Sequence, residues 1–196
     1  LTSEHTGGVE LKFGSAKALT TMVELTAKGE GFGREIGMGS KRLCDKYGHP
    51  DLSMTVKGQE FPAYDPRGVQ GMGLTYATSN RGACHLKHDA FGVDMEDISG
   101  NGKAQPVKDS QDFVSMVDST GTCLFTTGVW GAGDFAKQID AACEGDWTEE
   151  RMLECGERTW TLERQFNLAA GLTAADEQGL AEVLDLGGLT TDDLLF

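Results

Sequence analysis

The chain has 196 residues, with 31 acidic side chains against 17 lysines and arginines and a formal net charge of −14. This length can bury a substantial core, and an apolar content of 39% is ordinary for a globular protein and does not indicate wholesale disorder. The acidic surface repels phosphate backbones, which argues against nucleic acid as a partner, and no stretch reaches the roughly 18–20 apolar residues of a membrane span.

The first half of the chain predicts short helices separated by glycine turns. A helix is predicted over residues 15–28, because Ser15 is a favourable N-cap, apolar residues recur at helical spacing and Gly29 follows. A second, shorter helix is predicted over 40–47. Residues 52–56 alternate briefly and predict at most one small strand.

The segment 61–91 is broken by prolines early and is crowded with glycine further along. Such crowding usually indicates turns, but beside polar residues it can also indicate a ligand surface. A helical pattern resumes at 109–119 and ends at Gly121.

The longest predicted helix spans residues 148–170, with an apolar stripe at spacings of three and four and a cap at its start. On that stripe we expect Leu162 and Phe166 to lie in the core. A last short helix is predicted over 173–185. Taken together, the pattern predicts a mainly α, multi-helical fold with at most a small β-hairpin.

The five cysteines are odd in number and form no CxxC pair, which argues against a disulfide framework and for a reducing, cytoplasmic compartment. The first residues lack the basic end and apolar centre of a signal peptide. Because the chain begins with Leu1 and not with Met, we expect a fragment or a trimmed chain.

The segment 118–123, Asp-Ser-Thr-Gly-Thr-Cys, is a first candidate for chemistry. A helix end, a glycine turn and a cysteine can present a carboxylate, backbone groups and a thiolate to one iron–sulfur cluster or pterin edge. The same residues also fit a helix C-terminal turn followed by a buried structural cysteine, and taken alone they favour that simpler interpretation.

His85 and Lys87 follow a glycine-rich turn that contains Arg81. A histidine can transfer a proton near neutral pH, and a lysine or arginine can contact an anionic cofactor. A backbone-satisfied histidine beside solvated cations remains the simpler alternative. The histidines that show no informative spacing, and are predicted to be surface residues, are His5, His49 and His88.

Other classes of site are not indicated. There is no HExxH, no P-loop and no GxGxxG after a strand, and the cysteines and histidines do not form a four-ligand zinc pattern.

Motifs in a fixed order extend from Gly7 to about Asp176. They are GSKR at 39–42, FPAYDPRG at 61–68, YATSNRGACHL at 76–86, DSTGTC at 118–123, GER at 156–158, LER at 162–164 and FNL at 166–168. In order and spacing they resemble the aldehyde ferredoxin oxidoreductase family, and the resemblance outweighs the simpler interpretations above.

The resemblance implies an oxidoreductase that holds tungsten or molybdenum between two pterin (molybdopterin) dithiolenes, close to an iron–sulfur cluster of the 4Fe-4S type. Such enzymes oxidise aldehydes to carboxylic acids and transfer electrons to ferredoxin. A β-rich N-terminal domain cradles the pterins and two helical domains close over them. Residues 1–60 would then belong to the middle helical domain, and residues 61–196 would form the C-terminal helical domain with the cofactor-facing motifs.

Carried over residue by residue, His85 resembles the histidine near the metal, a candidate for proton transfer or for orienting the aldehyde. Lys87 resembles the pterin-contacting lysine, and Arg81 is a further candidate for the same surface. Asp118 resembles the pterin-contacting acid. Cys123 resembles the fourth ligand of the 4Fe-4S cluster.

Thr122 stands where the family often has leucine, which leaves a backbone contact with the cofactor as its expected role. The family's three clustered cysteines are absent, as are its pterin-cradling domain and the acidic residue opposite the histidine. We therefore expect the chain to be inactive alone and to need that region, or a partner chain carrying it. Ferredoxin is the expected electron acceptor, and a homodimer is compatible with the resemblance.

Two alternatives stay open at the level of sequence. One is a non-catalytic helical module of the same fold that serves protein contacts. The other is the same chemistry run as a reductase of carboxylic or acyl substrates.

Overall fold

A computed structural model describes residues 2–88, 91–97, 99–173 and 176. Over these ranges the fold is mainly α, which confirms the predicted class. The helices are α1 (Ala16–Lys28), α2 (Gly31–Ile36), α3 (Ser40–Lys46), α4 (Gln70–Thr78), α5 (Phe91–Glu96), α6 (Ala104–Thr120), α7 (Ala132–Ala142) and α8 (Glu149–Ala169), with 3₁₀ turns at Pro50–Leu52 and Leu124–Gly128.

The chain divides between Met54 and Thr55 into two compact units. This division does not test the assignment of residues 1–60 and 61–196 to two domains, which stays a prediction. In the parts of the chain that the structure describes, no helix is long and apolar enough to cross a bilayer.

The first unit is organised around α1 and α2. The predicted caps of α1 are both present: the hydroxyl of Ser15 accepts a hydrogen bond from Ala18 N, and Gly29 ends the helix in the left-handed conformation at φ 66°. A Cβ at Gly33 would lie 2.2 Å from the backbone carbon of Leu25. Only glycine therefore allows α2 to approach α1 this closely.

A two-stranded antiparallel hairpin begins the second unit, with Thr55–Val56 (β1) paired to Gln59–Glu60 (β2). Lys57 and Gly58 between the strands both have positive φ, as a tight two-residue hairpin turn requires. The predicted strand over 52–56 is thus reduced to its last two residues, and the prediction of at most a small hairpin is confirmed.

Among its described residues, the second unit has two apolar clusters. Helix α4 is buried from Gly71 to Thr78, and its Met72 and Tyr76 form one cluster with residues of β1 and α6. Met116 of α6 packs with α7 and α8 in the other. Sequence periodicity did not predict α4, because a helix buried on all sides has no polar face to define a stripe.

Helix α8 confirms the longest predicted helix, and the hydroxyl of Thr148 caps its start by accepting a hydrogen bond from Arg151 N. The expectation that Leu162 and Phe166 lie in the core is wrong in this chain: they are 62% and 73% exposed.

The side of α8 that packs is rotated by about one residue from the apolar stripe. Met152, the first residue of the stripe, is buried as predicted, but Gly156 is buried next, and Glu163 and Asn167 make polar contacts further along the helix. Three of these four residues are not apolar. A prediction made from apolar residues therefore chose the adjacent row of side chains on the helix, which contains Leu162 and Phe166, as the buried side.

Helix α6 starts at Ala104, earlier than the predicted residue 109, because Pro106 is tolerated in the first turn of a helix. Its end at Gly121 is as predicted, with φ 75°. Helix α7 was not predicted, and the helix predicted over 173–185 lies outside the described residues apart from 173 and 176.

Gly156 sets the separation of α6 and α8, and this gives a test of the fold. A Cβ there would lie 2.0 Å from the carbonyl oxygen of Asp112 and 2.9 Å from Met116 N, both of them backbone atoms. Gly156→Ala is therefore expected to force the helices apart and to lower the free energy of unfolding by about 2–3 kcal/mol in urea titrations.

Gly92→Ala is the matched control, because Gly92 is also helical and a Cβ there would meet no described atom within 4 Å. It is expected to change stability by about 1 kcal/mol or less, in the stabilising direction. Equal effects of the two substitutions would contradict the close helix crossing.

Candidate cofactor-facing site

The start of α4 is held by a buried carboxylate from the neighbouring helix α5. Asp94 accepts hydrogen bonds from Gly71 N at 2.8 Å and from Met72 N at 3.0 Å. Lys103 Nζ lies 3.3 Å from the same carboxylate and donates to the carbonyl of Val93 at 2.6 Å. A Cβ on Gly71 would lie 2.7 Å from the Asp94 carboxylate oxygen, so glycine is needed there.

The segment 79–88 follows α4 and is called here the site loop, because it contains three of the predicted site residues. The hairpin supports it from one side: Lys57 Nζ donates to the carbonyl of Ser79 at 2.9 Å, and Gln59 Nε2 donates to that of Ala83 at 3.2 Å. Gly82 adopts φ 108°, and a Cβ there would lie 2.8 Å from a carbonyl oxygen of β1. The close approach suits only glycine.

Helix α8 supports the beginning of the site loop through Asn80, a buried residue. Asn80 Nδ2 donates to the carbonyl of Trp160 at 3.0 Å, and Asn167 Nδ2 donates to the carbonyl of Asn80 at 2.5 Å. These contacts join residues 80 and more positions apart in sequence, so they are tertiary constraints on the loop.

Arg81 points back into the site loop. Its Nε donates to Cys84 Sγ at 2.9 Å, and Leu86 N donates to the same sulfur at 3.2 Å. Cys84 is only 2% exposed. The thiol of Cys84 is thus more than a packing group, since it orders the turn that presents His85.

Lys87 joins the site loop to two helices. Its Nζ lies 2.9 Å from Asp118 Oδ2 at the end of α6 and 3.3 Å from Glu163 Oε1 on α8. Burial opposes the charge of Lys87, but the hydrogen bond to Asp118 and the charge of Glu163 outweigh it and raise the pKa of the ammonium. Lys87 is therefore cationic at neutral pH.

His85 is half-buried, and its ring packs edge-on against Tyr64 with the ring centres 5.4 Å apart. Tyr64 in turn contacts the ring of Phe91 at 4.8 Å. The aromatic contact fixes one side of the imidazole.

His88 is 1% exposed, so its prediction as a surface residue is wrong. Neither ring nitrogen has a hydrogen-bond partner among the described residues. Burial, together with the charges of His85 and Arg81, lowers the pKa of His88 to about 3, which keeps this imidazole neutral. A neutral imidazole has one donor and one acceptor nitrogen, and both lie buried without a partner among the described residues.

The end of α6 carries the remaining predicted residues. Thr122 N and its hydroxyl both contact the hydroxyl of Thr120, at 3.2 and 2.8 Å. The thiol of Cys123 follows on extended backbone and is exposed, unlike the buried cysteine of the simpler interpretation. Because Lys87 forms an ion pair with Asp118, the site loop and the segment 118–123 are in contact at these two residues.

No group of three or more histidine, cysteine or acidic residues in the described ranges could hold a metal ion. The described residues around Cys123 therefore do not form a metal site by themselves. The structure brings Lys87 and Asp118 into contact, and places Arg81 and His85 on the same loop as Lys87. The roles of Arg81, His85, Lys87, Asp118, Thr122 and Cys123 stay predictions.

Several supporting residues were not singled out from sequence: Asn80, Cys84, His88, Glu163 and Asn167. The only signal for them was that each lies in or next to one of the family-like motifs, since their partners are remote in the chain.

The described unit is mainly α and holds Lys87 in contact with Asp118, and the exposed thiol of Cys123 follows in the same segment as Asp118. This arrangement agrees with a helical part of a cofactor enzyme. Residues 1–185 match the family described as aldehyde ferredoxin oxidoreductase, domains 2 and 3, and the chain belongs to this family.

Its relatives include the tungsten-containing aldehyde ferredoxin oxidoreductases of Pyrococcus furiosus, 45% identical over 86% of this chain and 29% of the relative, and of Thermococcus kodakarensis, 40% identical over 92% and 31%. That of Pyrococcus abyssi is 41% identical over 88% and 30%. The chain thus spans about 30% of the length of these relatives.

The buried neutral state of His88 predicts a pH dependence of stability. The unfolded imidazole, with a pKa near 6.5, binds a proton that the folded imidazole does not bind until about pH 3, so acid favours unfolding. Between pH 6.5 and 4.5, the contribution of His88 to the free energy of unfolding is expected to fall by about 2 kcal/mol.

Chemical denaturation at several pH values measures this slope. His88→Gln is expected to flatten it, whereas His49→Gln at an exposed histidine of the other unit leaves it unchanged. A wild-type slope that survives His88→Gln would show that another group causes it.

Proposed function

We propose that the chain is the helical part of a tungsten- or molybdenum-bis-pterin, 4Fe-4S oxidoreductase that oxidises aldehydes to carboxylic acids with ferredoxin as electron acceptor. The observation that supports this most is the Lys87–Asp118 contact at 2.9 Å, which joins the two motifs predicted to face the cofactor. The tungsten named in its relatives supports the metal.

The described residues fit the cofactors in part. The exposed thiol of Cys123 fits one ligand of a 4Fe-4S cluster, and the other three must come from another region or a partner chain. When bound, the metal and cluster supply the two-electron oxidation and its one-electron transfer steps.

The chain's own residues would bind the pterin and orient the groups that take part in the reaction. Asp118 can accept hydrogen bonds from N–H groups of the pterin, and Lys87 can donate to its oxygen or nitrogen acceptors. Arg81 lies on the same loop, and Thr122 would contribute through its backbone. The Tyr64 contact orients His85, which we propose holds or moves a proton at an imidazole nitrogen during aldehyde oxidation.

Other expectations extend the same proposal. Ferredoxin is the proposed electron-transfer partner, a second copy of the protein in a homodimer is compatible with it, and the cytoplasm is the proposed compartment because free cysteines suit a reducing environment.

Cys123→Ala tests the cluster ligand in the complete enzyme, purified from its native source. A 4Fe-4S cluster tolerates loss of a thiolate poorly, so iron and acid-labile sulfide are expected to fall well below the wild-type content and ferredoxin reduction to stop. Cys143→Ala, at another exposed free cysteine, is the matched control and is expected to keep the wild-type iron and sulfide contents and ferredoxin reduction. Full iron occupancy in the Cys123 variant would refute the assignment.

His85→Ala tests proton transfer separately. Tungsten and iron contents are expected to stay at wild-type levels, while turnover of an aldehyde with an artificial one-electron acceptor falls by roughly 10²-fold. Unchanged turnover would remove His85 from the mechanism, and loss of tungsten would indicate a role in binding.

A further inference from the structure

Glu163 contacts both ends of the site loop, one with each carboxylate oxygen. Its Oε1 lies 3.3 Å from Lys87 Nζ, and its Oε2 lies 3.4 Å from Asn80 Nδ2. Residues 80 and 87 come close to the start and the end of the loop that carries the predicted cofactor-facing residues. One side chain of α8 therefore spans the loop.

A second lysine provides an internal comparison. Lys108 Nζ also bridges α6 and α8, at 2.6 Å from Asp112 Oδ2 and 3.3 Å from Glu157 Oε1. Lys108 belongs to α6 itself, four residues before Asp112, so this bridge only adds to a helix contact that already exists. Lys87 belongs to the site loop, so its bridge fixes the loop.

The two lysines also differ in burial. The side chain of Lys87 is 12% exposed and that of Lys108 is 34% exposed. An ammonium that is largely buried loses more hydration than an exposed one, and it is costly to leave without a partner. Lys87 has two carboxylate partners, Asp118 and Glu163, of which only Asp118 is a predicted cofactor contact.

We propose that Glu163 is the positioning residue of the cofactor-facing site: it keeps Lys87 and Asn80 in place so that Asp118 can turn its carboxylate to N–H donors of the pterin. This rests on the function proposed above. Without Glu163, the carboxylate of Asp118 would be needed to pair with the ammonium of Lys87, and this contact would compete with hydrogen bonds from Asp118 to the cofactor.

Glu163→Gln is the variant that tests this role in the complete enzyme. An amide offers one acceptor oxygen, and its NH₂ group would face one of the two donors, Lys87 Nζ or Asn80 Nδ2. Glu163→Asp keeps the charge and both oxygens and is therefore expected to retain part of the wild-type loop protection and cofactor content. Glu157→Gln is the matched control, since Glu157 lies on the same helix at the same 3.3 Å from a bridging lysine.

The first measurement needs no cofactor chemistry. Hydrogen–deuterium exchange of peptides covering residues 80–88 is expected to be about 3-fold faster in Glu163→Gln, because the loop loses its ion pair with α8, and unchanged in Glu157→Gln. The Asp variant is expected to lie between wild type and Glu163→Gln. Thermal unfolding of each variant verifies that the fold is retained.

The second measurement is the tungsten and pterin content of the purified enzyme, expected to fall about 3-fold or more in Glu163→Gln and to stay at the wild-type level in Glu157→Gln. Equal exchange rates in the two Gln variants would overturn the positioning role, and so would an unchanged cofactor content in Glu163→Gln. A wild-type enzyme without tungsten or molybdenum would overturn the proposed function instead, while the exchange rates would still decide whether Glu163 orders the loop.

Discussion

The carboxylate of Asp94 accepts hydrogen bonds from two backbone amides at the start of α4 while Lys103 lies 3.3 Å away, and both charged residues are buried. An ion pair removed from water is tolerated only when its remaining hydrogen-bonding capacity is satisfied. Here the helix amides satisfy the carboxylate, and the carbonyls of Val93 and Asp97 accept from the ammonium. The positive end of the α4 dipole adds to the stabilisation of the carboxylate.

The position of the site follows from this interaction. Helix α4 has only nine residues, so fixing its first turn fixes the residue at which the site loop begins. From there the loop is held by short contacts to three other elements: the hairpin, the end of α6 and the middle of α8. Gly156 in turn allows α8 to lie against α6, because a Cβ there would lie 2.0 Å from the carbonyl oxygen of Asp112.

Local signals in the sequence were sufficient for the helices that have caps. Ser15 and Gly29 bound α1, Thr148 begins α8 and Gly121 ends α6, and each acts through contacts with its own backbone neighbours. Buried α4 has no such signal. The α8 prediction placed the core one residue away, since glycine and polar residues make the contacts there.

The candidate site was harder to predict from sequence than the helices, because tertiary contacts determine its arrangement. Lys87 and Asp118 are 31 positions apart, and no periodicity joins them; only the resemblance to a family suggested that they act together. Glu163 and His88 were missed for a related reason. A glutamate on a helix predicts a solvated face, and a histidine without informative spacing was predicted to lie on the surface, because only the fold shows which charges and hydrogen bonds surround them.

The charges at the site limit what these residues can contribute to binding. Lys87 is shared by two carboxylates, Arg81 donates to a thiol inside the loop, and His88 is neutral, so the Lys87, Asp118 and Glu163 group carries a net negative charge. Such a group does not attract an anionic cofactor by net charge. Its contribution is directional: a carboxylate that accepts and an ammonium that donates, each held by the fold at a fixed point. In the function proposed above, neutralisation of a pterin's negative charge therefore falls to Arg81 and to groups outside these residues.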